Sequence, residues 1–301
     1  MLETANRLLR FVTVDVFTTT RFEGNPLAVI PQADGLSDRE MQRVANEFNL
    51  SETVFLSEPS MPVAAARARI FTPRRELDFA GHPTIGAAFV LTRLQSLPQS
   101  FALQENVGLV PIAREIDSGG DPLLWLTSPP NKFFETLDAS LCARLLDLAP
   151  DDIASDSPPQ FVSAGAPMLL IPLTSVAAVD RASVQSALVK EALGSVNAVG
   201  TLVFARKDPA SDSAFDVYSR MFAPQTGIAE DPATGGAAGP LAGYMLQYGL
   251  LPRKDLSLTN EQGKRMGRRS LLRIRVTVRG ENLTIQVGGS AVCVTEGQLS
   301  L

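Results

Sequence analysis

The chain carries one block of residues twice, and this duplication constrains its fold more than anything else in the sequence. Arg69, Phe71 and Pro73 lead into His82-Pro83-Thr84-Ile85-Gly86-Ala87-Ala88. Further on, Arg220, Phe222 and Pro224 lead into Asp231-Pro232-Ala233-Thr234-Gly235-Gly236-Ala237-Ala238. A second echo precedes each block: Gly24-Asn25-Pro26-Leu27-Ala28-Val29-Ile30-Pro31 parallels Gly165-Ala166-Pro167-Met168-Leu169-Leu170-Ile171-Pro172. Two echoes in the same order predict two similar halves facing each other, with the paired small-residue loops as the place for a site. A length of 301 residues also favours two domains. The seam is expected at Ser128-Pro129-Pro130, giving domains over residues 1–127 and 128–301, with the last strand free to return to the first domain.

Several function classes drop out on composition. A net charge of −5 with scattered Lys and Arg, and aromatics at 6%, give little for a nucleic-acid surface. The one basic cluster, Lys264, Arg265, Arg268 and Arg269, reads as a solvated loop between strands. Pro, Gly, Ser or charge interrupts every apolar run before it reaches membrane-spanning length, so no membrane partner is expected. Cys142 and Cys293 are the only two cysteines, and their spacing supports neither a disulfide framework nor a metal site. No basic stretch followed by an apolar block marks the start, so a reducing cytoplasm is the expected setting.

Periodicity supplies the elements. Strands are predicted at Phe11–Phe17, Leu27–Ile30, Thr53–Leu56 and Ala66–Phe71. Ser37 and Glu40 form a capping-box pattern ahead of a helix from Asp38 to Phe48. Thr84 to Leu94 is apolar on nearly every side, the mark of a helix buried all round. Strands near Phe101–Leu103, Leu109–Ile112 and Leu123–Leu126 finish the first half. The second half repeats the plan. Helices are predicted at Ala139–Leu148, Ser183–Leu193 (burying Val184, Ala187, Leu188 and Leu193) and Leu241–Leu250. Its strands are Gln160–Val162, Leu169–Pro172, Gly200–Ala205, Phe215–Met221, an Arg273–Arg279/Leu283–Val287 hairpin, and Ser290–Thr295. The expected fold is α/β, two pseudo-symmetric domains of mostly antiparallel sheet, each wrapped round one buried helix.

Thr84 and Thr234 sit where helix N-caps would, followed by Gly and Ala in the first turn. Helix N-termini offer unpaired N–H groups and a partial positive charge, and small side chains let a carboxylate or phosphate approach them. Taken singly, either Gly/Ala segment reads as tight helix packing; the duplication favours a site. His82, the only histidine, can exchange a proton near neutral pH with an ordinary pKa of about 6.5. Asp231 takes the matching place in the second copy. Glu52 opens the strand Thr53–Leu56, and a carboxyl group turned to an apolar face would have a raised pKa suited to proton transfer. Phe55 makes both faces apolar, so alternation alone leaves the direction of Glu52 open.

The segments Gly24–Val29, Leu50-Ser51-Glu52-Thr53-Val54-Phe55, Arg69–Pro73, Gly81-His82-Pro83-Thr84, Ser219–Pro224 and Glu230–Gly235 run in family order along almost the whole chain. Together they resemble the PhzF-like isomerases of phenazine biosynthesis, in the diaminopimelate epimerase superfamily. That resemblance implies two domains with the active site in the cleft between them. It implies Glu52 as the proton-transferring acid/base, with His82 and Asp231 orienting the substrate and sharing its protons. Backbone amides near Gly81 and Gly235 would hold a substrate carboxylate, Asn25 would contact substrate, and Thr84, Thr234 and Gly236 would complete the binding loops. The implied enzyme is a cofactor-independent, metal-free isomerase of a small carboxylic acid, working as a homodimer.

Two residues depart from the family pattern. Gly236 stands where the family often has Ser. Pro240 falls in the expected second helix, so that helix is expected either to kink or to begin near Gly239. The cysteine-paired racemases of the superfamily need a thiol at each loop, and neither cysteine lies in one. A non-catalytic binding protein that kept the fold is the alternative from another class, and the joint presence of Glu52, His82 and Asp231 speaks against it.

Overall fold

The computed structural model describes residues 7–117, 119–208 and 210–301. The chain divides into two compact units, Met1–Leu126 with Gly289–Leu301, and Thr127–Gly288. The first unit is built from β1 (Leu8–Val16), β2 (Asn25–Ile30), α1 (Asp38–Phe48), β3 (Thr53–Ser57), β4 (Ala66–Phe71), β5 (Glu76–Leu77), α2 (Gly81–Leu94), β6 (Ser100–Glu105), β7 (Gly108–Ile116) and β8 (Pro122–Thr127). β1–β2, β3–β4, β4–β5, β6–β7 and β7–β8 pair antiparallel, while β2–β3 and β4–β6 pair parallel.

The second unit contains β9 (Lys132–Thr136), α3 (Ala139–Leu145), β10 (Gln160–Ser163), β11 (Pro167–Pro172), α4 (Val176–Arg181), α5 (Ser186–Leu193), β12 (Thr201–Arg206), β13 (Val217–Ala223), β14 (Ile228–Asp231), α6 (Gly235–Gln247), β15 (Leu256–Gln262), β16 (Ser270–Arg279) and β17 (Asn282–Gly289). Its pairings repeat the first unit strand for strand: β11–β12 and β13–β15 are parallel, and β10–β11, β12–β13, β13–β14 and β15–β16 are antiparallel. The final strand, β18 (Ala291–Ser300), pairs antiparallel with β1 and so belongs to the first unit. β9 holds the corresponding place beside β10 in the second.

In the first unit the sheet lies between two helices. α2 packs on β1, β2, β3, β4 and β18, and its residues from Gly81 to Leu91 are all buried. Gly86 makes that approach close, because a side-chain carbon there would collide with Leu27 and Val16. α1 covers another part of the sheet through Met41, Val44 and Ala45, against Leu9, Ile30, Phe55 and Phe71. Its start is the predicted capping box: Ser37 Oγ accepts from Glu40 N–H, and Glu40 Oε2 accepts from Ser37 N–H at 2.7 Å. In the second unit α6 packs on β10, β11 and β16, while α3, α4 and α5 build a separate core with Phe161, Leu169, Ile171, Val203 and Tyr218.

The sequence reading of the elements needs five corrections. α2 begins at Gly81, three residues before Thr84; Pro83 sits within the first turn, where its missing N–H costs nothing. α6 begins at Gly235 rather than near Leu241, and Pro240 lies inside it. Pro240 deprives only the Gly236 carbonyl of an intrahelical partner, and the glycines at 235, 236 and 239 give the backbone room for its ring. The helix predicted over Ser183–Leu193 starts three residues later, as α5, and buries Val189, Ala192 and Leu193, with Ala187 exposed; the short helix α4 ahead of it was not predicted. β13 starts at Val217, two residues after Phe215. The polar strands β9 and β15 were not predicted, since neither alternates clearly. Among the described residues, no helix is long and apolar enough to cross a membrane.

Candidate functional site

In the first unit, Asn25, Glu52 and His82 come together although they lie on three separate elements. Gly24 makes the entry possible: its φ of +67° is left-handed, and a side chain there would run into the Val16 carbonyl. The chain then enters β2 at Asn25, which is fully buried. Glu52 follows the left-handed Asn49 cap of α1 and immediately precedes β3, whose Thr53 pairs with Ala28. His82 is the second residue of α2.

His82 Nε2 lies 3.3 Å from Glu52 Oε2, with the two side chains 6% and 13% exposed. On the other edge of the ring, the Asn25 amide nitrogen lies 3.4 Å from His82 Nδ1. With that amide donating to Nδ1, the ring proton sits on Nε2, the nitrogen nearer Glu52, although the two atoms are not aligned as a hydrogen bond. Burial pushes the His82 pKa down to about 3, so the ring stays neutral across the ordinary pH range. His82 is therefore a neutral ring held beside Glu52, in place of the titrating group expected from its ordinary pKa.

The start of α2 adds backbone donors. Thr84 N–H bonds the Ala80 carbonyl at 3.2 Å, closing the first intrahelical bond. Pro83 has no N–H to offer. The Gly81 and His82 amides, at the first two helical positions, have no intrahelical acceptor. Thr84 is not the cap. Ala80 holds that position, and the Thr84 hydroxyl faces the Ala80 carbonyl and Glu105 from within the helix.

The second unit builds its loop differently. Thr234 does occupy the cap position of α6, but its hydroxyl donates to Asp231 Oδ2 at 2.5 Å. Gln262, fully buried at the end of β15, ties this loop down. Its amide nitrogen donates to the Asp231 carbonyl at 2.8 Å and to Thr234 Oγ1 at 3.1 Å, and its oxygen accepts from Thr234 N–H at 3.3 Å. Ala237 N–H bonds the Thr234 carbonyl, so Gly235 and Gly236 amides are the ones without an intrahelical acceptor. Each unit thus presents two adjacent helix-start amides.

Asp231 is not the counterpart of His82, contrary to the sequence comparison. The motif arginines fix the alignment: Arg69 bonds Glu76 through Nε and Nη2, and Arg220 bonds Glu230 in the same two-pronged way. Each glutamate lies four positions before its helix cap, Glu76 before Ala80 and Glu230 before Thr234. Asp231 then matches Leu77, and His82 matches Gly236. The repeated Pro in His82-Pro83 and Asp231-Pro232 falls in different places, one inside a helix and one ahead of it. Gln262 and Glu105 escaped the sequence reading, because only strand register brings them to the helix starts.

The comparisons with known proteins agree on one family. A family described as phenazine biosynthesis-like protein matches residues 14–297. A protein named an uncharacterized isomerase in Mesorhizobium japonicum is 38% identical over 306 residues, covering 99% of each chain. The trans-2,3-dihydro-3-hydroxyanthranilate isomerase of Pseudomonas aeruginosa is 34% identical over 296 residues, covering 97% of this chain and 99% of its own. The crystal structure of a PhzF-family phenazine biosynthesis protein from Bacillus anthracis superposes with a TM-score of 0.90 at 25% identity, covering 98% of this chain and 100% of that one. A duplicated sheet-and-helix unit, matched by family and structure along nearly its full length, makes this chain an isomerase of the PhzF-like family, with a diaminopimelate epimerase-like fold.

Proposed function

We propose that the chain is a cofactor-independent isomerase in which Glu52 moves a proton within a small carboxylic acid. The observation that carries this reading is the Glu52 carboxyl group, nearly buried and 3.3 Å from the imidazole of His82. As a carboxylate, Glu52 takes a proton from a carbon next to an electron-withdrawing group of the substrate. As the resulting acid, it returns the proton to another atom of the same molecule. His82, kept neutral by burial, packs against the carboxyl group and takes no net proton. A positioned general base supplies about 10²–10⁴-fold of rate. Orientation and backbone donors facing the developing negative charge supply the remainder.

The Gly81 and His82 amides are suited to hold a carboxylate or the enolate-like oxygen formed during transfer. Gly235, Gly236 and Thr234 are assigned a second anion-holding loop, with Asp231 as a further proton-sharing group and Asn25 as a substrate contact. A homodimer in the cytoplasm, and domains divided at residues 127 and 128, complete the reading.

The test is exchange. The protein is incubated in deuterated water with a panel of unsaturated and hydroxy acids, and loss of carbon-bound protons is followed by NMR. The acid named in the Pseudomonas aeruginosa relative, trans-2,3-dihydro-3-hydroxyanthranilate, is tried first. Glu52→Gln is expected to abolish exchange while leaving fold and ligand binding intact. His82→Ala and Asp231→Ala are expected to slow it without abolishing binding. Full activity in Glu52→Gln removes the glutamate from the mechanism.

A further inference from the structure

Glu105 ends β6 as a buried carboxyl group, and no step above uses it. Its Oε1 lies 2.6 Å from Thr84 Oγ1 in the first turn of α2. The same hydroxyl lies 2.7 Å from the Ala80 carbonyl oxygen. A threonine hydroxyl has one proton to give, and a carbonyl oxygen only accepts. Both contacts are full two-centre hydrogen bonds only if the Glu105 carboxyl group is itself protonated, donating to Thr84 Oγ1 while Thr84 donates to Ala80. The other oxygen, Oε2, is buried with no hydrogen-bond partner among the described residues, a setting in which a full negative charge is costly.

The second unit supports this accounting independently. Arg67 pairs with Gln104, and Tyr218 with Glu261, each two residues before the motif arginine. One residue further on, Glu105 and Gln262 therefore stand at the same place in the two sheets. Gln262 donates from its neutral amide to Thr234 Oγ1, and Thr234 donates onward to Asp231 Oδ2. The order is the same in both units: neutral donor, threonine hydroxyl, acceptor beside the helix start. A protonated glutamate has the shape of a glutamine and can take its part in that chain.

We propose that Glu105 is kept as a neutral carboxylic acid that, through Thr84 and Ala80, pins the first turn of α2 and so acts as a positioning residue for Gly81 and His82. Burial pushes its pKa up to about 8, against the lowering effect of the Thr84 bond. The titratable groups on the elements around it have partners of their own. Arg67 on β4 bonds Asn106, Glu76 on β5 bonds Arg69 and Asn106, and His82 on α2 faces Asn25 and Glu52. When Glu105 ionises, it competes with the Ala80 carbonyl for the single Thr84 proton, and the helix start loses one tie.

The sign of the effect on stability follows. A carboxyl group whose folded pKa exceeds its ordinary value of 4.5 contributes fully below about 4.5 and loses that contribution as pH rises through about 8. Glu105→Gln is neutral at every pH. Its melting temperature relative to the parent chain is therefore expected to rise by several degrees between pH 5 and 8, then level off. Carbon-13 NMR of glutamate-labelled protein at pH 6 is expected to show one carboxyl resonance at the protonated position, absent in Glu105→Gln and displaced in Thr84→Val. A constant melting difference across the range overturns the proposal, and so does a Glu105 resonance already at the carboxylate position at pH 6.

The consequence for turnover rests on the roles assigned above to Gly81 and His82. An alkaline loss of activity that disappears in Glu105→Gln is expected there. The melting and NMR readouts do not depend on those roles, so failure of the catalytic reading leaves them standing.

Discussion

Glu52 and Gly200 occupy the same place in the two sheets. Each immediately precedes the strand that runs parallel to its neighbour, with Thr53 beside Ala28 and Thr201 beside Leu169. The duplication is therefore asymmetric at the position assigned the chemistry, and the asymmetry is steric. A side-chain carbon at Gly200 would lie 2.7 Å from the Phe222 carbonyl and would also collide with Met221. Gly200→Ala is expected to destabilise the protein by about 1–3 kcal/mol, as overpacking does. Glu52→Gln, which keeps size and shape, is expected to leave the urea midpoint nearly unchanged while removing turnover. Urea unfolding of the two variants side by side checks this, and equal losses in both would make Glu52 a structural residue.

His82 makes a prediction of the opposite sign to that of Glu105. Its folded pKa, pushed down to about 3 by burial, lies below its ordinary value of 6.5. The neutral ring therefore contributes fully above about 6.5, and this contribution is lost as pH falls toward about 3. His82→Gln cannot take up that proton, so its melting temperature is expected to hold up better than the parent's between pH 6 and 4. Identical acid profiles in the variant and the parent would show that the ring is already charged or hydrated.

The two arginines of the repeat differ in how firmly they are held. Arg220 gives Nη1 to the carbonyls of Val179, Asp180 and Ala182 and grips Glu230 with its other two nitrogens, while its guanidinium stacks 4.7 Å from the Phe222 ring. Arg69 holds Glu76 in the same way, but its remaining partner, Asp38, is exposed. A lysine cannot reproduce a planar fork with several simultaneous acceptors. Arg220→Lys is expected to cost about 3–5 kcal/mol, the range for breaking a buried pair. Arg69→Lys should cost less than half of that. Guanidinium unfolding orders the two, and an equal or reversed order would mean that the carbonyl contacts contribute little.

What was legible in the sequence was whatever is written locally. Ser37 and Glu40 announce α1 because a capping box lies within four consecutive residues. The duplicated Arg-x-Phe motif is legible because each arginine reaches a glutamate a few residues along the chain. The start of α2 was misplaced because Thr84 was read as the cap, a place Ala80 holds with Pro83 in the opening turn, and that of α6 because Pro240 was expected to kink the helix or open it near Gly239, although it sits among glycines. The match of His82 with Asp231 failed for a related reason: a shared proline outweighed the spacing from glutamate to cap. Gln262 and Glu105 were illegible, since nothing near them in sequence names the helix starts they reach through β15 and β6.

Gly236 tests whether the second loop binds an anion at all. It is the second residue of α6, matching His82, and a side-chain carbon there would meet only Met168 Cε at an ordinary 3.7 Å. Its backbone is helical, so a serine fits without strain, and the expected change in stability lies within about 0.5 kcal/mol. The added hydroxyl sits beside the Gly235 and Gly236 amides and supplies a further donor to any carboxylate held there. One such bond is worth about 0.5–1.5 kcal/mol, roughly a two- to twelvefold gain in affinity. Gly236→Ser is therefore expected to lower KM for a carboxylate substrate, or Kd for a carboxylate inhibitor measured by calorimetry, with the melting temperature unchanged. An unchanged Kd in a variant that folds normally would place the anion elsewhere and leave the glycines of α6 with packing as their role.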